Sequence, residues 1–290
     1  MFDSYRTLRR WGAATVVALM VLGQAATGHA QQRPLVTQDP ESIGAGQVLL
    51  EGGFDYGTDV FFPASGLKGS LLRVPTLGVV VGVSSIAEVQ ITGAPYKRLS
   101  IASRRPAPLA DLVSATGDTT SSVEDLMVGA KIRLLAETEG RPAVAFRFAT
   151  RLPNASEESG IGLDTIDFHA SFLAAKTVQS VRVAANVGLG ILPDPAAAGR
   201  QNDVLTYGVS FARALNSEFD VVGEVNGRAN TRADDPPAGT ESMGAFRVGG
   251  RYTRGAGRVD AGLIVGLTSR DPGLGFTVGF TYVFKAFTVQ

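Results

Sequence analysis

From about residue 47 onward the chain alternates apolar and polar residues. In "QVLLEGGFDYG", Val48, Leu50, Phe54 and Tyr56 fall on one side and Gln47, Glu51 and Asp55 on the other. A period of two over this length predicts a half-buried strand. The pattern returns with apolar faces at Leu77, Val79, Val81; at Ala87, Val89, Ile91; at Leu126, Val128, Ile132, Leu134; and at Val144, Phe146, Phe148, Leu152. It continues through Ile166–Phe172, Val181–Leu189, Leu205–Phe211, Phe219–Val225, Phe246–Tyr252 and Val259–Val265 in alternate positions. It closes on "GFTVGFTYVF", where Phe276, Val278, Phe280, Tyr282 and Phe284 share one face. The count is about twelve strands, an even number as closed bacterial barrels require.

The connections alternate in length. Tight turns are expected near 84–85 and at "ETEG", "AKTVQ", "ALNS" and "RGAG". Long segments are expected at 58–70, at 104–122, and at "PNASEESGIG", "PDPAAAGRQND" and "ANTRADDPPAGTES", with a shorter "SRDPG" last. This predicts an all-β fold: a closed antiparallel transmembrane β-barrel of about 12 strands, with short periplasmic turns and longer extracellular loops. A soluble sandwich also alternates apolar and polar residues. Three features favour the barrel: an export signal, loops alternating by length, and an apolar face that runs to the last strand. Trp11 is the single Trp and precedes the strands, so an interfacial aromatic girdle must come from Tyr and Phe.

Residues 1–30 read as a secretory signal peptide: Arg6, Arg9 and Arg10, a short apolar run, then "TGHA". Residues 31–45 read as a periplasmic leader rich in turn formers, and 46–287 as the outer-membrane barrel. The expected location is the outer membrane of a Gram-negative bacterium. The formal charge is zero, and the first thirty residues hold three Arg and one Asp, so the remainder is close to −2. That balance gives no basis for nucleic-acid binding. No cysteine is present, so disulfides contribute nothing. After the signal there is one histidine, His169, and no ligand cluster at zinc spacing. No metal and no cofactor is expected.

The polar face carries Glu51, Asp55, Glu88, Gln90, Lys131, Arg133, Arg147, Arg151, Asp167, His169, Arg182, Asn186, Glu224, Arg228, Arg247, Arg251, Arg258 and Asp260. An Arg or Lys facing lipid at the bilayer midplane costs roughly 2–4 kcal/mol, so these groups are expected in the lumen. Glu88, Lys131, Arg133, Arg147, Arg151, Asp167, His169, Arg182, Asn186, Glu224 and Arg228 are the candidates for setting selectivity. The hairpin about "ETEG" predicts a basic wall of Lys131 and Arg133 beside Arg147. Glu88 is expected to face Arg133, or Glu224 to supply the counter-charge. Such a ring is either a selective constriction or an internal ion-pair network that narrows the pore. "DFHASF" also sets His169 and Ser171 two apart, with Asn186 expected across from His169, the composition of a Ser–His–Asn hydrolase. Against an enzyme, His169 points inward while a lipid substrate would lie outside.

Several stretches resemble the outer-membrane transporter family named for the meta-pathway of phenol degradation. They are "RPLVTQDPESIGAGQVLLEGGFDY", "RVPTLGVVVGVSSIAEVQITG", "VEDLMVGAKIRLLAETEGRPAVAFRFATRLPNA", "RVAANVGLGILPD", "LTYGVSFARALNSEFDVVGEVNGR" and the aromatic last strand. The resemblance implies a channel or transporter for small solutes, including small aromatic or hydrophobic compounds. The alternatives are a lipid hydrolase using Ser171 and His169, or a structural barrel with a plugged lumen. The last strand also resembles the recognition signal for barrel-assembly machinery, here followed by "KAFTVQ". The expected partners are outer-membrane lipids, that machinery and a small-molecule solute, with a monomer favoured. Whether the leader enters the lumen stays open at this point.

Overall fold

A computed structural model describes residues 33–288. The predicted signal peptide lies outside the described residues. The elements in chain order are β1 (Gln47–Phe62), β2 (Leu67–Gly82), β3 (Ala87–Gly93), β4 (Lys97–Arg104), β5 (Thr119–Ser122), β6 (Met127–Leu135), β7 (Ala143–Arg151) and β8 (Asp167–Val178). They continue as β9 (Val181–Pro193), β10 (Gln201–Ala214), β11 (Phe219–Asn230), β12 (Met243–Arg254), β13 (Gly257–Gly266) and β14 (Leu274–Lys285). No α-helix occurs among the described residues.

Every ladder is antiparallel, and β1 pairs with both β14 and β2, so the sheet closes on itself. One half of β2 pairs with β3 and the other half with β4; β3 in turn pairs with β6, and β4 with β5. The pairs β3/β4 and β5/β6 are therefore two barrel strands interrupted at 94–96 and 123–126, which makes the wall twelve strands round. Pro75 and Pro95 stand at this interruption and supply no N–H to the ladder. Backbone bonds from Glu124 to Ala94 and from Val74 to Tyr96 bridge it.

The outward face is the predicted apolar one. Phe148, Phe168, Phe172, Val187, Val209, Val259, Leu263 and Phe280 are each about half exposed, which in water would be an extensive apolar belt. Aromatics cover bare positions in this belt. A Cβ on Gly52 would stand 2.5 Å from the Phe280 ring of the neighbouring strand, and one on Gly223 would stand 2.6 Å from that of Phe211. The inner face is polar instead: Lys131, Glu88, Glu224 and Asn202 are fully buried.

Five connections at one end of the barrel are short, spanning 83–86, 136–142, 179–180, 215–218 and 255–256. Those at the other end include 105–118, 152–166 and 231–242. One expectation fails there. Residues 58–70 are not a long loop: β1 runs to Phe62, β2 restarts at Leu67, and only 63–66 turn. A bulge between Gly57 and Val60, with Asp59 at φ 57°, shifts the register and swaps the faces. A strand read by strict alternation disappears at such a point. The projecting hairpin packs Leu67, Leu99 and Ile161 into a small apolar cluster at the loop end.

Candidate functional site: a lumen crossed by residues 33–46

The segment 33–46 precedes β1, has no regular secondary structure, and lies inside the barrel. Its backbone N–H and C=O groups are out of reach of a ladder and need partners from the wall. They find them. The carboxylate of Glu224 on β11 accepts from the consecutive amides of Val36 (2.8 Å) and Thr37 (2.7 Å). Asn186 on β9 accepts from the Gln38 amide and donates to its carbonyl. Glu88 on β3 accepts from the Ile43 amide at 2.9 Å.

Lys131 on β6 is the tightest node. An ammonium has three N–H groups, and Nζ has three oxygen partners: Asp39 O at 2.8 Å, Glu41 O at 2.7 Å and Glu88 Oε1 at 3.0 Å. Lys131 and Glu88 have side chains only 1% exposed. Removing one member would strand a buried charge, which costs about 3–5 kcal/mol. The acids of the segment are also matched, Asp39 by Arg182 and Glu41 by Arg133. At its far end Arg33 donates to Thr76 and Thr277 and lies 3.6 Å from Asp55 and 3.5 Å from Asp260. The segment thus crosses from the β3–β6 wall to the β13–β14–β1 wall.

Three sequence expectations are corrected. Glu88 faces Lys131, its register partner, while Arg133 pairs with Glu41 of the threaded segment. Glu224 supplies its charge to Arg247, 3.2 Å away. β3 and β6 are separated by an interrupted excursion, so no tight turn sets their register. Lys131 does stand opposite Arg147, but Glu88 neutralises it, so the basic wall is partly cancelled. Asn186 is not across from His169. The turn comes later than "AKTVQ" suggests, at 179–180 with Gln179 at φ 55°, so His169 pairs with Gly190 and Asn186 with Leu173. Asn186 is then spent on Gln38, and no Ser–His–Asn cluster forms among the described residues.

The remaining candidates occupy the loop-side half of the lumen. Arg151 bridges Asp125 (2.8 Å) and Asp167 (2.6 Å). Arg228 donates to the carbonyls of Glu241 and Gly239, and Arg147 to Gln90 Oε1 at 2.9 Å. His169 and Ser171 line a cavity of about 690 Å³ whose floor includes Leu35, Val36, Thr37 and Gln38. A second cavity, of about 850 Å³, opens at the turn end and is bounded by Leu35, Thr37 and Asp39. The segment therefore lies between two cavities. A third, of about 540 Å³, lies at the loop end beside Arg73, Lys97, Glu124 and Asp125.

Sequence reasoning missed Arg33, Asp39, Glu41, Glu124 and Asp125. A signal was present: the inward face carries more cations than anions, and Asp39 and Glu41 were the nearest acids without a strand to occupy. Among the described residues no group of His, Cys, Asp or Glu could hold a metal ion.

No family model and no curated protein matches the chain. Solved structures do. The chain is similar to an outer membrane channel from Pseudomonas putida F1, with a TM-score of 0.62 at 14% identity, covering 85% of this chain and 98% of that one. It is also similar to the NanC porin, with a TM-score of 0.50 at 8% identity, covering 81% and 98%. At these identities the likeness establishes the fold of an outer-membrane barrel.

Proposed function

We propose that the chain is an outer-membrane channel for small solutes, seated in lipid by its apolar belt and held shut by its own residues 33–46. The observation that carries this reading is the threaded segment. It is irregular, polar, and bound through side-chain hydrogen bonds and ion pairs, with water-sized space on both sides. Hydrocarbon solvating the belt and water filling the lumen satisfy both faces of the wall. A merely structural plug would more economically be an apolar core, since a buried ionic network is weak evidence for stability. The resemblance to transporters of the phenol meta-pathway, and the fold shared with an outer membrane channel, support solute passage. Small aromatic compounds are within its scope.

The chain has no cysteine, which permits a clean test. A Cβ built on Gly208 of β10 would stand 3.4 Å from Thr37 Cβ, close to the disulfide range of about 3.5–4.5 Å. Thr37→Cys with Gly208→Cys should staple the segment to the wall. In planar bilayers the oxidised double variant should be silent and reduction should restore channel events. Equal conductance in both states would refute the gate, and silence of wild type and both states under all voltages would refute the channel.

A further inference from the structure

The cavity on the loop side of the threaded segment has a basic arc built into one row of the sheet. Arg147 pairs with Ser171, Ser171 with Gly188, Gly188 with Thr206, and Thr206 with Arg228. These five residues form one inward-facing row perpendicular to the tilted strands, climbing from the middle of β7 to the loop end of β11. The two arginines are four inter-strand steps apart, each of about 4.8 Å. That is four of the twelve strands of the wall, and both side chains line the same cavity. Between them the wall is low: two hydroxyls and a glycine, with Gly190 beside His169 in the next inward row.

The charge of this arc is offset only through space, by Glu241, Asp167 and Asp271 about Arg228 and by Glu88 about Arg147. Arg147 donates to the Gln90 carbonyl and approaches the Met127 sulfur, and Arg228 donates only to main-chain carbonyls. Neither forms an ion pair with a carboxylate among the described residues. The hydroxyls of Ser171 and Thr206 likewise have no protein partner there. His169 lies within electrostatic reach of Arg147, Arg151 and Arg228. The acids that also line the cavity are already engaged. Asp55 is held by Arg33 and Arg73, Asp271 accepts from Gly244 and Thr268, and Glu51 accepts from Thr281.

Two guanidiniums flanking a hydroxyl-lined hollow match carboxylate geometry, since Arg presents a planar fork of donors. We infer that this arc is a binding subsite for small organic anions bearing one or two carboxylates. It is reached from the loop end and sits directly above the threaded segment. The inference rests on the lumen being a solute path, and it names the solute's charge class.

The test is isothermal titration of the folded full-length protein in detergent with glutarate, and with glutaramide as the uncharged analogue of the same shape. Glutarate should bind saturably and glutaramide at least about tenfold more weakly, the worth of charge-assisted bonds at such a site. Arg147→Gln and Arg228→Gln should each weaken glutarate by a similar factor. Arg213→Gln, on the outer face of β10, should leave it unchanged. Heat-modifiable gel mobility verifies that each variant is a closed barrel. Equal affinity for glutarate and glutaramide, absence of saturable binding to wild type, or undiminished binding in the double Arg variant would overturn the inference. Because titration needs no open pore, a silent bilayer with intact glutarate binding would sink the channel reading alone.

Discussion

Replacing Glu224 by Gln should release the threaded segment. In the closed state both carboxylate oxygens of Glu224 accept amide bonds, from Val36 at 2.8 Å and Thr37 at 2.7 Å. The same group neutralises Arg247. Hydrogen bonds to a charged acceptor contribute about 1.5–3 kcal/mol each, against about 1 kcal/mol for a neutral one. A Gln retains one carbonyl acceptor and turns an NH₂ toward the other amide, which cannot accept it. The closed state therefore loses about 2–4 kcal/mol relative to the released one, in which water solvates both the amides and residue 224. That difference shifts the equilibrium between closed and open by about 30- to 900-fold. The assay is open probability in planar bilayers at fixed salt, with barrel closure checked by heat-modifiable mobility. An intact Glu224→Gln barrel with the open probability of wild type would show that these two bonds do not hold the gate.

Two further outcomes follow from the same geometry. A Cβ on Gly279 would stand 2.3 Å from Arg33 Nε, so Gly279→Leu should expel Arg33, and maleimide labelling of a Leu35→Cys reporter should rise severalfold; unchanged labelling would mean that Arg33 is not an anchor. At the turn end, Glu137 is held below the usual carboxylate range: its slight burial opposes this, but the Thr177 amide and the Arg182 guanidinium outweigh it. A depressed folded pKa adds stability above the ordinary carboxylate pKa and loses it as the pH falls through the folded value. Glu137→Gln should therefore lower thermal stability at neutral pH and make little difference in strong acid, as read by melting of the barrel.

The layout of the wall is legible from alternation alone. Alternation places Phe280 outside and Thr281 inside because successive side chains of a strand point to opposite faces, and this needs no knowledge of the neighbours. It also placed every inward candidate on the inward face, and it predicted a closed sheet from the lengths of the connections. It failed where parity is broken locally: the bulge after Gly57 hid the outer ends of β1 and β2, and a hairpin turning at Gln179, a non-glycine at positive φ, displaced Asn186 from His169. Which inward groups meet depends on the folded barrel. Glu224 and Thr37 are 187 residues apart, and Arg33 and Thr277 are 244 apart. Such pairs depend on register accumulated strand by strand round the closed wall, and on a segment with no periodicity of its own. Its course through the lumen is set by the charges it meets there, a condition that exists only once the sheet has closed.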